Sequence, residues 1–361
     1  HHWINDGLMA IFFFLIGLEI KREITAGELS SLKVAILPIL AAIGGMVFPA
    51  LIYTSLNYET VGSAGWGIPM ATDIAFAISA LVLLGKRVPT ALVTFLVALA
   101  IVDDLGAVIV IALFYTDTIN MMALSLAGLM FVLMLAFNRF GIHMLLPYFI
   151  VGLLMWFFML ESGVHATIAG VLAALAIPST PKRVPSTLTK EAKVLLDEYD
   201  KYPVDENYQI NEEQKRILTN IRNKINEVET PAARLEHNLH LPVALIIIPI
   251  FALANAGIKI DFSSISTTIV EPVSLGIILG LIFGKVIGIF GVSYVAVKLK
   301  IAQLPKDSTL SQVFGVAFLG GIGFTMSIFV ADLAFINNPE LILQAKIGIL
   351  SASSFSALFG Y

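Results

Sequence analysis

Eleven apolar stretches, each approaching or reaching the roughly 17–25 residues that a helix needs to cross a hydrocarbon layer, interrupt this chain at close intervals. They lie near 7–20, 34–56, 67–85, 90–115, 120–138, 144–158, 163–178, 239–257, 273–297, 311–334 and 341–361. Lipid offers a backbone no hydrogen-bond partner, so a chain of this pattern must satisfy itself within helices, and the expected class is an all-α polytopic membrane protein with 11 transmembrane helices. Composition agrees: 58% of the 361 residues are hydrophobic and 13% charged, against roughly 45–50% and about 25% in soluble domains. A net charge of −4 is too small and too dispersed to attract nucleic acid. The absence of cysteine excludes disulfides, thiolate metal sites and thiol nucleophiles, and no cofactor is called for.

Basic residues test the span count independently. If the loop after the first span is cytoplasmic, the inside loops hold Lys21, Arg22, Lys33, Lys86, Arg87, Arg139, ten further Lys and Arg between 179 and 238, and Lys298, Lys300 and Lys306, or 19 of 22. Only Lys259 falls outside, while Lys285 and Lys346 lie within apolar spans. That asymmetry supports both the number of spans and their direction. The chain starts outside, without Met or a cleavable leader pattern, so one more helix is expected ahead of His1. Residues 1–361 are read as a single transmembrane domain. Within it, 182–230 is too charged for a span and forms a hydrophilic cytoplasmic loop. Ile217, Ile221, Ile225 and Val228 follow helical spacing there, which predicts a short amphipathic helix, either solvated or docked on the membrane or a neighbouring loop.

The most informative residues are those that hydrocarbon should exclude. A charge at the bilayer centre costs roughly 2.5–3.5 kcal/mol on insertion scales. Yet Asp103 and Asp104 sit in the middle of the fourth apolar stretch, Lys285 in the middle of the ninth, and Asp73 beside a helix breaker in the third. One shared polar site explains all four, where separate snorkelling or structural pairing would need several accidents. Adjacent helical residues point about 100° apart, so one aspartate is expected to coordinate a ligand while the other pairs with Lys285. The Pro69-Met-Ala-Thr72-Asp and Gly320-Gly-Ile-Gly323-Phe-Thr325 segments carry breakers at corresponding places in two oppositely running spans. Such a pair points to inverted repeats with broken helices, unless the breakers are simply the Gly and Pro common in membrane helices. Freed carbonyls and the hydroxyls of Thr72 and Thr325 are hard oxygen ligands that suit Na⁺. Transition metals favour imidazole or thiolate, and no His is near the centre. Taking a carboxyl out of water favours its neutral form, so protons and Na⁺ compete for the same oxygens. If the site opens to one side at a time, exchange follows.

At this point the chain resembles one family, the NhaA-type sodium/proton antiporters of bacterial inner membranes. The likeness runs through Gly17-Leu-Glu-Ile-Lys-Arg-Glu23, Ala71-Thr-Asp-Ile-Ala-Phe76, Ala98-Leu-Ala-Ile-Val-Asp-Asp-Leu-Gly106, Gly163-Val-His-Ala-Thr167, Arg234-Leu-Glu-His237, Phe251-Ala-Leu-Ala-Asn-Ala-Gly257, Gly284-Lys285 and Gly321-Ile-Gly-Phe-Thr-Met-Ser327. The resemblance implies twelve helices, inverted three-helix repeats and two broken helices crossing at the midplane. It implies exchange of cytoplasmic Na⁺ or Li⁺ for a larger number of external H⁺, hence an electrogenic reaction serving pH and sodium homeostasis. By it, Asp103 and Asp104 carry the cation and proton, with Asp104 the direct ligand. Asp73 offsets positive helix ends, Lys285 offsets negative ends and pairs with Asp103, and Thr72 neighbours the cation, with Thr325 supporting. A cytoplasmic pH-responsive cluster maps onto Glu19, Arg22, Glu23, Glu236, His237 and His240, where ordinary interfacial charge is the competing reading; His165 joins these candidates, against a purely structural role. The family's partners are the ions, the bilayer and, in a homodimer, a second copy, but the first helix and the outward segment that helps form the dimer are missing from this chain.

Three rival functions fit the sequence less well. A sodium-coupled organic solute symporter of similar fold would want an Arg within a span to hold an anionic solute, and none is present. An intramembrane aspartyl protease could pair Asp73 with Asp104 but leaves Lys285 without a use. An ATP-driven pump would need a phosphate loop, which Gly280-Leu-Ile-Phe-Gly-Lys-Val286 fails for spacing and for Val where Ser or Thr belongs.

Overall fold

A computed structural model of the chain describes residues 3–116, 119–183, 185–202, 210–255, 257, 265–336 and 338–361. All regular structure among these residues is helical. After a π-helical turn, Trp3–Leu8, come α1 (Met9–Thr25) and α2 (Leu32–Asn57). The next span is broken into a 3₁₀ segment, Val61–Met70, and α3 (Ile74–Leu83), bent by 42°. Then follow α4 (Thr90–Phe114), α5 (Met121–Arg139), α6 (Leu145–Glu161), α7 (Thr167–Ala176), α8 (Pro185–Tyr199) and α9 (Glu212–Val228). Two long helices, α10 (Pro231–Asn255) and α11 (Pro272–Lys298), precede a second broken span, α12 (Leu310–Leu319) and α13 (Phe324–Ala334), bent by 46°, and the last helix is α14 (Pro339–Gly360).

Six of these helices are long and apolar enough to cross a bilayer, and the two bent pairs bring the number to eight. The remaining three expected spans correspond to α1, α6 and α7, which are shorter; α7 has 10 residues, about 15 Å of rise. It can be short because it is packed inside protein. Its Gly170 lies against the backbone of Ala10 and Phe14 of α1, and the Gly17 of α1 lies against α7 in turn, where a Cβ would meet the Val171 Cα at 3.0 Å. Small residues permit that closeness in place of a hydrophobic drive that lipid does not supply. Large apolar side chains such as Leu113, Phe149, Leu245, Leu253 and Leu358 are exposed on the outside of the bundle, as a lipid-facing belt requires.

The two broken spans cross antiparallel. The inner halves, α3 and α12, share a core with α2, α4 and α11 that includes Leu37, Ala77, Leu96, Leu99, Ile289 and Val316. Phe13, Ile68, Ile111, Ile277, Phe329 and Ile349 belong to a second core built around the outer halves, Val61–Met70 and α13. Between these cores the chain is unwound at 71–73 and 320–323, which leaves helix ends in the centre of the protein.

The hydrophilic segment differs from the expectation in two ways. It holds two helices, not one, and α9 is not solitary: it packs along α8, with Gln214 and Ile217 buried. Ion pairs tie the hairpin across its base and length, including Arg183 to Glu227 at 2.8 Å and Arg183 to Glu191 at 3.2 Å. α8 escapes a hydropathy reading because its few apolar residues, such as Val194, Leu195 and Leu196, are set among charged and polar ones. In addition, α10 begins at Pro231, before the expected boundary near 239, with Thr230 capping the Ala233 N–H. Arg234, Glu236, His237 and His240 therefore lie on the first turns of this helix and not in a loop. The expected outside position of Lys259 lies outside the described residues.

Candidate functional site

Unwinding creates orphan groups, and the crossing satisfies them with partners from the opposite span. The Asp73 N–H donates to the Ile322 carbonyl at 2.6 Å. The Asp73 carboxylate caps two helices at once: Oδ1 accepts from the Phe76 N–H of α3 at 3.3 Å, and Oδ2 accepts from the Thr325 N–H of α13 at 3.0 Å and from the Thr325 hydroxyl. A negative group thus lies at two positive helix ends, where it is favoured. Ser327 donates to the Ile68 carbonyl at 2.9 Å, covering the C-terminal end of the first half-span.

The carboxylates of α4 enter from one side. Its sequence gives no polar face except Asp103 and Asp104, which the helix holds about 100° apart. Asp103 Oδ2 lies 2.6 Å from the ammonium of Lys285, with both side chains fully buried. The Thr72 hydroxyl completes a triangle, 2.6 Å from Asp103 Oδ2 and 2.8 Å from the Gly320 carbonyl, and it accepts from Lys285 Nζ at 2.9 Å. Its single proton serves one of those two acceptors at a time. Lys285 stands between two π-helical stretches, Gly280–Gly284 and Val286–Gly291, an irregularity that recurs at functional sites. Asp104 is different. It is 1% exposed and neither of its carboxylate oxygens has a hydrogen-bond donor, and Asp103 Oδ1 also lacks one. The charges that act on Asp104 are those of Asp103, Glu19, Asp73 and Lys285.

Where the C-terminal end of α1 adjoins the start of α10, Arg22 of α1 bridges to Glu23 at 2.9 Å and to Glu236 of α10 in a close ion pair. Glu23 is buried and also accepts the Glu28 N–H at 3.0 Å. Glu19 lies one turn further in on α1, and the charge of His240 reaches Glu236.

The family model for the Na⁺/H⁺ antiporter 1 family matches residues 1–361. Among curated proteins, the chain is similar to the Na(+)/H(+) antiporter NhaA of Sulfurimonas denitrificans, 68% identical over 361 residues covering 100% of this chain and 81% of that protein. The chain belongs to this antiporter family. It is also 51% identical over 363 residues to the Na(+)/H(+) antiporter NhaA of Dichelobacter nodosus and 50% identical over 362 residues to the Na(+)/H(+) antiporter NhaA 1 of Saccharophagus degradans, covering 100% of this chain and 78% of each relative.

Of the residues singled out from the antiporter's sequence, Thr72, Asp73, Asp103, Asp104, Lys285 and Thr325 meet at the crossing. Glu19, Arg22, Glu23 and Glu236 meet where the C-terminal end of α1 adjoins the start of α10, while His237 and His240 of α10 are both exposed. His165 is not part of that cluster. It precedes α7, whose opposite end, at Leu175 and Ile177, accepts hydrogen bonds from Lys21 of α1, and its Nε2 lies 2.6 Å from the Tyr115 carbonyl. Sequence reasoning missed Lys21, counted only as an inside charge, although it caps the last carbonyls of α7. It also missed Ser327 and the bridging Tyr115, whose hydroxyl accepts from Gly67 N–H at 3.1 Å and donates to the Ala64 carbonyl at 2.8 Å. A Tyr at the end of a span is too common to stand out.

Proposed function

We propose that the chain exchanges cytoplasmic Na⁺, or Li⁺, for external H⁺ across the bacterial inner membrane, with Asp104 as the residue that alternately holds the two. The observation that carries this is the Asp104 carboxylate, buried at the crossing with both oxygens undonated. An ionised carboxylate in such a place is costly unless a cation or a hydrogen-bond donor reaches it. Either a proton on the carboxyl or a cation against it removes that cost, and the two exclude one another on the same oxygens. That competition is the coupling.

Asp103, Lys285 and Thr72 supply the second half of the reaction. A cation entering beside Asp104 finds Asp103 Oδ1 free of donors, while Oδ2 is held by Lys285 and Thr72. Drawing Asp103 towards the cation weakens its bond to Lys285, whose ammonium then sheds a proton more readily. With one proton from Asp104 and one from Lys285, more H⁺ moves than Na⁺, and the exchange is electrogenic. Asp73 and Thr325 keep the half-helices crossed. The Glu19, Arg22, Glu236 and His240 group at the cytoplasmic mouth sets the response to pH, gathering cations at the entrance through its acidic charges.

The test is a sodium pulse on inside-out vesicles carrying a proton gradient, followed with a pH-sensitive dye. The unaltered protein collapses the gradient without any organic solute, which a solute symporter would not do, and Asp104→Asn inserts equally well but leaves it standing. Wild-type exchange by Asp104→Asn removes Asp104 from the mechanism.

A further inference from the structure

Three backbone N–H groups at the start of α13 face the crossing, those of Gly323, Phe324 and Thr325. Gly323 cannot cap its own helix with a side chain, and does not. A side chain there has no room either, because a Cβ would meet the Leu281 Cδ2 at 3.1 Å and crowd Ser327. Asp73 takes the Thr325 N–H. The other two go to a residue of a different helix: Ser353 Oγ of α14 accepts from Gly323 at 3.2 Å and from Phe324 at 3.1 Å, with Ser353 6% exposed. At the far end of α13, Asp332 Oδ1 lies 3.2 Å from Lys346 Nζ, again on α14, with side chains 14% and 12% exposed. Lys346 and Ser353 are two turns apart and so on one face of α14. That face therefore grips α13 at both ends, by a hydroxyl at the midplane and an ion pair nearer the outside.

The order of helices gives these contacts a counterpart. α4 and α14 each follow a broken span, and Asp104 and Ser353 stand equally far from their first residues, Thr90 and Pro339. Gly45 and Lys285 stand equally far along α2 and α11, counted from Leu32 and Pro272. One half of the molecule has the carboxylate and a glycine; the other has the ammonium and a hydroxyl. A hydroxyl does not titrate in the working range and makes the same bonds whether Asp104 holds a proton or a cation. We propose that Ser353, with the Lys346–Asp332 pair, is a positioning clamp that joins the outward half-helix α13 to α14 as one body, and thereby fixes the Thr325 N–H and hydroxyl over Asp73. This rests on the exchange function proposed above. Loss of the Ser353 oxygen strands two N–H groups where no water replaces it, so the start of α13 shifts and the cation site beside it is misplaced.

Purified protein is reconstituted in vesicles of phosphatidylethanolamine and phosphatidylglycerol, and the apparent KM for Na⁺ and the maximal rate are read from collapse of a pH gradient. Ser353→Ala raises KM about tenfold, the factor carried by ~1.4 kcal/mol, with the maximal rate within about twofold of wild type. Ser353→Thr keeps the oxygen and holds KM within about twofold. Lys346→Met and Asp332→Asn each raise KM, and the exchanged pair Asp332→Lys with Lys346→Asp recovers most of the loss. A wild-type KM for Ser353→Ala, or equal impairment of Ser353→Thr, overturns the clamp. Should Ser353→Ala fail to insert, the exchanged pair decides: no recovery over the single variants overturns it. Asp104→Asn in the same vesicles separates the two ideas, because an active Asp104→Asn brings down the exchange reading and the clamp's role with it, whereas an inactive one beside an unaffected Ser353→Ala brings down the clamp alone.

Discussion

Lys285–Asp103 at the crossing and Arg183–Glu227 at the base of the hydrophilic hairpin are both close ion pairs, 2.6 and 2.8 Å long, but the first is sealed from solvent and the second has side chains 47% and 26% exposed. Distance alone would rank them together. The environment separates them. In the hairpin, water and salt screen each charge, and either partner can be lost to solvent cheaply. At the crossing neither charge has another medium to turn to, so removal of one leaves the other buried and unpaired, while removal of both leaves nothing to be penalised. The same chemistry thus serves as replaceable stitching in one region and as a device whose halves depend on each other in the other.

The largest effect expected from this contrast is that of Lys285→Met. It strands Asp103 in the interior, and stability in detergent falls by about 3–5 kcal/mol. Sodium-driven exchange falls roughly a hundredfold or more, ~2.7 kcal/mol in barrier terms. Adding Asp103→Leu to Lys285→Met restores most of the stability, followed by thermal unfolding of purified protein, but none of the exchange. If the double variant is as unstable as the single, the pair is not the mutually dependent unit described above. Next in size is Thr72→Val, which keeps the shape and removes the hydroxyl that links Asp103, Lys285 and Gly320. The buried Lys285 donor and Asp103 acceptor each lose a partner, at about 1–3 kcal/mol. The apparent KM for Na⁺ is expected to rise about tenfold, with insertion unchanged; an unaltered KM would place Thr72 outside the cation path.

The same contrast explains what the sequence disclosed. Asp73, Asp103, Asp104 and Lys285 were legible because insertion into hydrocarbon makes a charge expensive, so its presence in an apolar run needs a reason. Ser353 and Ser327 were not, because a serine in an apolar helix satisfies itself on its own preceding turn as easily as on another helix, and the sequence carries no mark of which it does. The two breaks were legible as Pro69 and the Gly320–Gly323 run, but not which atoms cap them. In the hydrophilic segment the reverse holds: charge is cheap there, so a dense run of Lys and Glu conceals α8 as effectively as it reveals the absence of a span. α7 was overestimated because hydropathy counts the residues flanking it, which the structure leaves outside the 10-residue helix.

Between the two extremes lies Arg22, whose side chain is 49% exposed while that of its partner Glu236 is 13% exposed. Arg22→Gln is expected to cost less than about 1 kcal/mol of stability, as a pair open to solvent should. Its effect appears in the pH profile of exchange, measured in vesicles from pH 6 to 9, because the charges of Glu19, Glu23 and Glu236 are no longer offset where α1 adjoins α10. A profile that superimposes on wild type makes this group ordinary interfacial charge.

The smallest effect belongs to Glu191 in α8. The ammonium of Lys224, in hydrogen-bonded contact, together with the Arg183 guanidinium, holds its carboxyl below the ordinary glutamate value of 4.5. A depressed carboxyl in the folded hairpin contributes its stability above the unfolded value and loses it as pH falls through the folded one. From pH 8 down to pH 6, therefore, amide hydrogen exchange along α8 and α9, corrected for intrinsic rate, stays level, and protection drops only in acid below the ordinary glutamate range. Glu191→Gln lacks that acid step and leaves sodium-driven exchange at pH 8 unchanged, since none of the hairpin's ion pairs among the described residues includes a residue of the crossing. An acid step of the same size in Glu191→Gln would remove Glu191 as its source. A loss of exchange at neutral pH would mean that the exposed pairs are coupled to the buried ones after all, and that the two regions differ in exposure but not in function.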